Sequence, residues 1–214
     1  MCANAFPLAV LAKAPLPGHA KTRLMPALGA EGAARLHARL VRHTLANACE
    51  ATPCTTLWTA LQHDHPLFTS LAARYAISLH PQPSGDLGQR IWTALEAMAE
   101  PGLVIGSDCP MLSASLLRRC HSALAEADVV CLPAEDGGYG LIGMQRADPR
   151  LFTDIDWGSA RVMEQTARKA AALGYRLACL ETVWDLDRPA DLARLLTCHP
   201  QLLAGLESTK RDRD

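Results

Sequence analysis

Asp108 lies in the segment Gly106-Ser107-Asp108-Cys109-Pro110, directly behind an apolar run at 103–106. A lone carboxylate at the carboxyl end of a buried strand is well placed to hold Mg2+ or Mn2+. Such hard ions take one or two carboxylates and fill their other positions with water and phosphate oxygens. Helix capping is the competing use of the residue, but Ser113 fits that role for the helix that follows. Cys109 has no companion histidine at a telling spacing and reads as a packed thiol.

Three more segments carry polar chemistry. Residues 12–24 run Ala-Lys-Ala-Pro-Leu-Pro-Gly-His-Ala-Lys-Thr-Arg-Leu. Ala12 and Lys13 close a strand, and the loop that follows can wrap phosphate oxygens with backbone N–H groups, Lys21 and Arg23. It is not a Walker A loop, which requires glycines where Pro15 and Ala20 stand. Residues 133–140 run Pro-Ala-Glu-Asp-Gly-Gly-Tyr-Gly, and Gly137 and Gly138 permit close backbone approach to a ligand or form a tight turn. In Trp184-Asp185-Leu186-Asp187-Arg188-Pro189, two alternating carboxylates project to one side of an extended segment. One of them completes a metal site opposite Asp108 and the other is structural, Asp187 also fitting the position of a helix cap. Among smaller signals, Gln89 or Arg90 meets a base or phosphate from a helix opened by Asp86, and Ser107 borders the Asp108 position. Trp157 and Ser159 position an acceptor together with Asp136 and Tyr139. His63 and His65 fit a solvated loop better than a metal pair, while His37 and His43 fall on a helix face and receive no role.

These segments need a scaffold that brings them together. Strand-like and helix-like stretches alternate along the chain. Strands are expected at 8–12, 55–60, 76–80, 103–106, 128–132, 139–144 and 175–180. Helices are expected at about 30–50, after Pro66, from Asp86 to about 98, from Ser113 to about 125, after Ser159 and from Pro189. Repeated strand–helix–strand units imply an α/β, three-layer, mainly parallel mixed sheet, whose ligands bind beyond the carboxyl ends of the strands. The four polar segments follow residues 12, 106, 134 and 180. The expectation is a single domain over 1–207 with a frayed tail at 208–214.

Of 214 residues, 49% are hydrophobic and 20% charged, with a net charge of −1; this describes a globular chain without a basic field for nucleic acid. The N-terminal third is locally basic and residues 181–191 are acidic, so the two can sit on opposite sides of a polyanion with its metal. Eight cysteines without a CxxC pair fit small core hydrophobes in a reducing compartment. No apolar stretch has membrane-spanning length and no positive n-region precedes Lys13, so the expected location is cytoplasmic, with no membrane partner.

Four ordered motifs together resemble a bacterial family of glycosyltransferases, also known as nucleotide-diphospho-sugar transferases or radical-SAM/selenodomain-associated transferases. They are Ala-Lys-Ala-Pro…Gly-x-x-Lys-Thr-Arg-Leu at 12–24, Gly-Ser-Asp-Cys-Pro at 106–110, Asp-Gly-Gly-Tyr at 136–139 and Asp-Leu-Asp-Arg-Pro-Ala-Asp-Leu at 185–192. The resemblance spans about 8–196. It implies the GT-A fold, a Rossmann-like arrangement distantly similar to phospholactate guanylyltransferases. It also implies Mg2+ or Mn2+ at Asp108 with Asp185 or Asp187, and phosphate contacts at Lys21 and Arg23. Gly106 stands where such glycosyltransferases carry the first aspartate of an Asp-x-Asp, which weakens sugar transfer relative to nucleotide binding. The expected function is therefore nucleotidyl transfer onto a phosphorylated small molecule, catalysed around Lys21, Arg23 and Asp108. Glycosyl transfer from a nucleoside diphosphate sugar, with Asp136 or Asp156 as base, is the alternative, and a non-catalytic nucleotide-binding protein is the third reading. The partners implied are a nucleotide or nucleotide sugar and a small acceptor; a homo-oligomer is compatible with all three readings.

Overall fold

The computed structural model describes residues 5–98 and 101–206. Seven strands form one sheet in the order β3-β2-β1-β4-β6-β5-β7. β1 is Leu8–Lys13, β2 Thr55–Ala60, β3 Ser78–Pro81, β4 Gly102–Gly106, β5 Val129–Pro133, β6 Tyr139–Met144 and β7 Leu177–Cys179. Neighbouring pairs are parallel except where β6 runs against β4 and β5. The expected α/β sheet, mainly parallel and mixed, is therefore the observed one.

Alternation along β1 shows how the sequence makes two cores. Leu8, Val10 and Ala12 face one layer, with Val41 and Leu45 of helix α1 (Met25–Ala51), Phe68 of α2 (Pro66–Tyr75) and Leu117 of α4 (Ala114–Ala123). Ala9 faces the other, with Ile91 and Leu95 of α3 (Leu87–Glu96) and Ala170 of α5 (Val162–Ala172). The inner strands β1, β4, β5 and β6 are buried on both faces, which is why they read as nearly continuous apolar runs. Each fully buried aliphatic or aromatic side chain contributes roughly 1.5–3 kcal/mol of transfer free energy.

A third cluster fixes the site. Leu24, Leu36 and Leu40 pack against Trp184, Leu186 and Leu195, the last on α6 (Asp191–Cys198). It clamps the start of the basic N-terminal segment to the acidic segment near the C-terminus.

Several boundaries differ from expectation for local reasons. α1 begins at Met25, five residues before the expected start, and breaks at Gly29, whose φ of 70° and ψ of 171° are not helical. α6 starts at Asp191 and not at Pro189, because the Asp191 carboxylate accepts the backbone N–H groups of Asp187 and Arg188 and holds them outside the helix. Asp187 is thus not its cap. Asp86 and Ser113 do cap α3 and α4, accepting from the N–H groups of Gln89 and Leu116. Cys109, Cys120 and Cys131 are buried as expected, whereas Cys54, Cys179 and Cys198 are exposed. The expected tail at 208–214 lies outside the described residues. Among those described, no helix is long and apolar enough to cross a membrane.

Candidate functional site

The carboxyl ends of β1 and β4 place Lys13 and Asp108 side by side. Beyond β1 the chain turns through Lys21, held in the left-handed region at φ 51°, into a short 3-10 turn at Thr22–Leu24. That turn directs Lys21 inward. Its ammonium lies 2.9 Å from Asp108 Oδ1, and only 4% of the side chain is exposed. It also donates to the Leu186 carbonyl at 2.5 Å. Arg23 points the other way and pairs with the Asp187 carboxylate. The basic loop and the acidic segment therefore meet, joined also by the bond from Leu186 N–H to the Asp108 carbonyl at 2.9 Å.

His37 adds a contact to which the sequence assigned no function. It is buried on α1, and its Nε2 donates to the Lys13 carbonyl at 3.0 Å. Its Nδ1 faces Asp108 Oδ1 at 3.7 Å. Burial lowers the His37 pKa despite the nearby carboxylate, so the neutral ring presents a lone pair to Asp108. Both Asp108 Oδ1 and His37 Nδ1 are buried without an aligned hydrogen-bond donor. Burial opposes ionisation of Asp108, but the charge of Lys21, the largest opposing influence, holds its pKa below the ordinary carboxylate value. About half of its side chain, 49%, still opens to the cleft.

Asp185 is the second carboxylate. Burial, followed by the charge of Asp108, raises its pKa to about 7. It shares a cavity of ≈ 290 Å³ with Asp108, His37, Ala12, Lys13, Ser107, Gln82 and Arg90. Gln82 is fixed there by donating to the Ala12 and Trp58 carbonyls at 3.3 and 2.8 Å. A second cavity of ≈ 590 Å³ is lined by Arg23, Asp136, Gly138, Tyr139, Trp157, Ser159, Asp187 and others. The inner and outer cavities share Leu87, Tyr139 and Asp185.

The expected residues thus divide. Ala12, Lys13, Ser107 and Asp108 line the inner cavity; Asp136, Tyr139, Trp157 and Ser159 line the outer one. Arg23 and Asp187 meet at the outer cavity, and Asp185 at the junction of both. Lys21 lies behind Asp108 and does not line either. Gln89 is exposed on α3 and bonds Thr93, while Arg90 takes the inward place. Gly138 faces the outer cavity, but Gly137 has a packing function: at φ 90°, a Cβ there would lie 2.0 Å from the Ala160 carbonyl oxygen. Gly140 likewise makes room for Val183, 2.9 Å from where its Cβ would stand. Asp156 is tied to Arg161 at 2.5 Å and to Gln165 at 2.8 Å, and it lines neither cavity. Burial pushes the Cys109 thiol up to about 12, which leaves it without nucleophilic character. His65 caps α2 through the Leu67 N–H, and His63 bonds Thr59.

The donor set fits a hard divalent cation. Two carboxylates, one about half open to the cleft and one whose charge is disfavoured by its neighbour, share one cavity. No group of three histidine, cysteine or acidic side chains capable of holding a metal occurs among the described residues. An ion here would rest on Asp108 and Asp185 and draw its other ligands from phosphate and water.

Residues 44–159 match the family described as "Uncharacterized protein conserved in bacteria (DUF2064)". No curated protein matches the chain. Among solved structures, a protein of Desulfovibrio desulfuricans G20 provisionally assigned as a nucleotide-diphospho-sugar transferase is 28% identical, with a TM-score of 0.78 over 89% of this chain and 86% of that one. A nucleotidyl transferase from Methanothermobacter thermautotroptrophicus is 15% identical, with a TM-score of 0.60 over 92% and 98%. The CMP:2-keto-3-deoxy-manno-octonic acid synthetase, solved with CTP, is 12% identical, with a TM-score of 0.58 over 92% and 99%. The last two share the fold.

Proposed function

The chain belongs to the bacterial DUF2064 family, and we propose that it is a nucleotide-dependent transferase, with a nucleoside triphosphate or nucleotide sugar in the inner cavity and a small acceptor in the outer one. The observation that carries this reading is the junction of the two cavities at Asp185, within reach of the Asp108 and Lys21 pair. A transferase must bring two substrates together at one point, and a cavity pair with a shared wall does so. The similarity to the Desulfovibrio protein supports the same class.

Mg2+ or Mn2+, when held by Asp108 and Asp185, supplies charge neutralisation to a leaving diphosphate or pyrophosphate. The chain's own residues do the rest. Arg23 and Lys13 offer cationic contacts to phosphate oxygens, Arg23 on release from Asp187. Lys21 holds the Asp108 carboxylate in place from behind, and the neutral His37 ring fills the space beside it. Alignment and charge neutralisation then lower the barrier. Nucleotidyl transfer needs an ionised acceptor phosphate and no base. Glycosyl transfer needs a base for an acceptor hydroxyl. Asp136 suits that role, because it lines the outer cavity with one oxygen accepting the Gly138 N–H and the other without a hydrogen-bond partner among the described residues. A reducing, cytoplasmic setting and a single folded domain belong to this reading.

The test is a thermal-shift panel of nucleoside triphosphates and nucleotide sugars with and without Mg2+. A ligand at about 100 times its Kd adds about 2.7 kcal/mol to native stability. At least one nucleotide should raise Tm in the wild type with Mg2+, and Asp108→Ala should lose that rise. Equal stabilisation of the variant would remove the assigned site.

A further inference from the structure

Resting on the transferase reading, we propose that the inner cavity selects a nucleotide whose base is an imide, uracil or thymine, and that Gln82 and Arg90 make the selection. Gln82 follows β3 directly and is held over the ends of β1 and β2. Its backbone N–H donates to the Thr59 carbonyl at 2.9 Å, and its side-chain Nε2 donates to the Ala12 and Trp58 carbonyls. That amide cannot turn over, because its oxygen would then face two acceptors. Oε1 is therefore the atom left for a ligand, and none of the described residues donates to it.

Sheet order divides the cavity. β1 lies between β2 and β4, so Gln82 and Asp108 stand on opposite sides of its end. Phosphates at the Asp108 and Asp185 end leave the base at the Gln82 end. Leu11, Ile91, Val104 and Ile142 give the cavity apolar surface for a ring. Arg90 enters it from α3 with no carboxylate paired to it, and its Nε is buried without a partner. A guanidinium only donates.

The wall thus offers several donors and one acceptor. The carbonyls that close β1 are already bonded, Ala12 to Gln82 and Lys13 to His37. Hydrogen count then ranks the bases. An imide edge carries a single N–H, at N3, between two carbonyl oxygens. The N–H donates to Gln82 Oε1, and a carbonyl accepts from Arg90. The amines of cytosine and adenine carry two diverging hydrogens, of which one oxygen can take only one. Guanine adds a ring N–H to its amine. Each of these bases leaves a donor unpaired in the cavity, which weakens binding.

The test is calorimetric titration with UDP, TDP, CDP, ADP and GDP in the presence of Mg2+, and with UDP methylated at N3. UDP and TDP should bind about tenfold or more tightly than the other three, and methylation should weaken UDP by about tenfold or more. Gln82→Met, checked by circular dichroism, should reduce the preference for UDP over CDP to below about threefold while CDP still binds. Arg90→Met should weaken UDP by about tenfold. The methylated ligand needs no variant, so it decides even where a variant fails to fold. Equal affinities, preference for an amine-bearing base, methylated UDP as tight as UDP, or a preference unchanged by Gln82→Met overturns the base assignment and leaves the transferase reading standing. Failure of all five diphosphates to bind removes both.

Discussion

Lys21 and His37 approach Asp108 from behind, Lys21 as its ion-pair partner and the neutral His37 ring by contact. The ammonium 2.9 Å from Oδ1 and the imidazole 3.7 Å from it restrict how the carboxylate can turn. The His37 bond to the Lys13 carbonyl also ties α1 to the end of β1. A side chain that orients a metal carboxylate without touching the ion is expected to matter nearly as much as the ligand. His37→Ala should therefore weaken metal-dependent nucleotide binding by about 10–100-fold. Calorimetric titration of the folded variant, checked by circular dichroism, measures this; an unchanged Kd would make His37 a packing residue only.

At the scale of elements, a polar knot away from the site holds the α5 side of the sheet. The Asp148 carboxylate receives Arg150 in an ion pair at 2.6 Å and the Tyr175 hydroxyl at 2.5 Å. Arg150, more than any other group, holds its pKa well below the ordinary carboxylate range. A depressed folded-state pKa stabilises above the unfolded value and loses that contribution as pH falls through the folded one. Asp148→Ala should cost about 1.5–3 kcal/mol at pH 7, by urea denaturation. The gap to wild type should shrink below about pH 4, where the unfolded carboxyl takes up its proton. A gap independent of pH would show that the knot acts through packing alone. The elements themselves were mostly legible, because apolar alternation and caps such as Asp86 and Ser113 are local signals. The direction of β6 was not: Leu141 and Ile142 would read the same in a parallel strand, and the tight turn at 134–138 reverses the chain. Arg90 was hidden by helix phase. With Asp86 as cap, Leu87, Arg90 and Ile91 share the face toward the cavity and Gln89 does not. His37 was legible in principle, since it lies on the buried stripe of Ala33, Leu36 and Leu40.

For the whole molecule, the decisive feature is that segments some eighty positions apart close on one point. Trp184 and Leu186 are buried with Leu24, Leu36 and Leu40, so the acidic segment is held against the basic loop by an apolar clamp. Opposite charges then meet in a cleft that the sheet topology places beyond its strand ends, where α/β sheets bind ligands. The central claim is that Asp108 and Asp185 together grip one divalent cation beside a nucleotide's phosphates. Electron paramagnetic resonance of Mn2+ titrated into the protein, with the stabilising nucleotide present, measures that directly. The account predicts one tight Mn2+ per chain in the wild type, lost in both Asp108→Ala and Asp185→Ala. Tight binding that persists in both variants would contradict it.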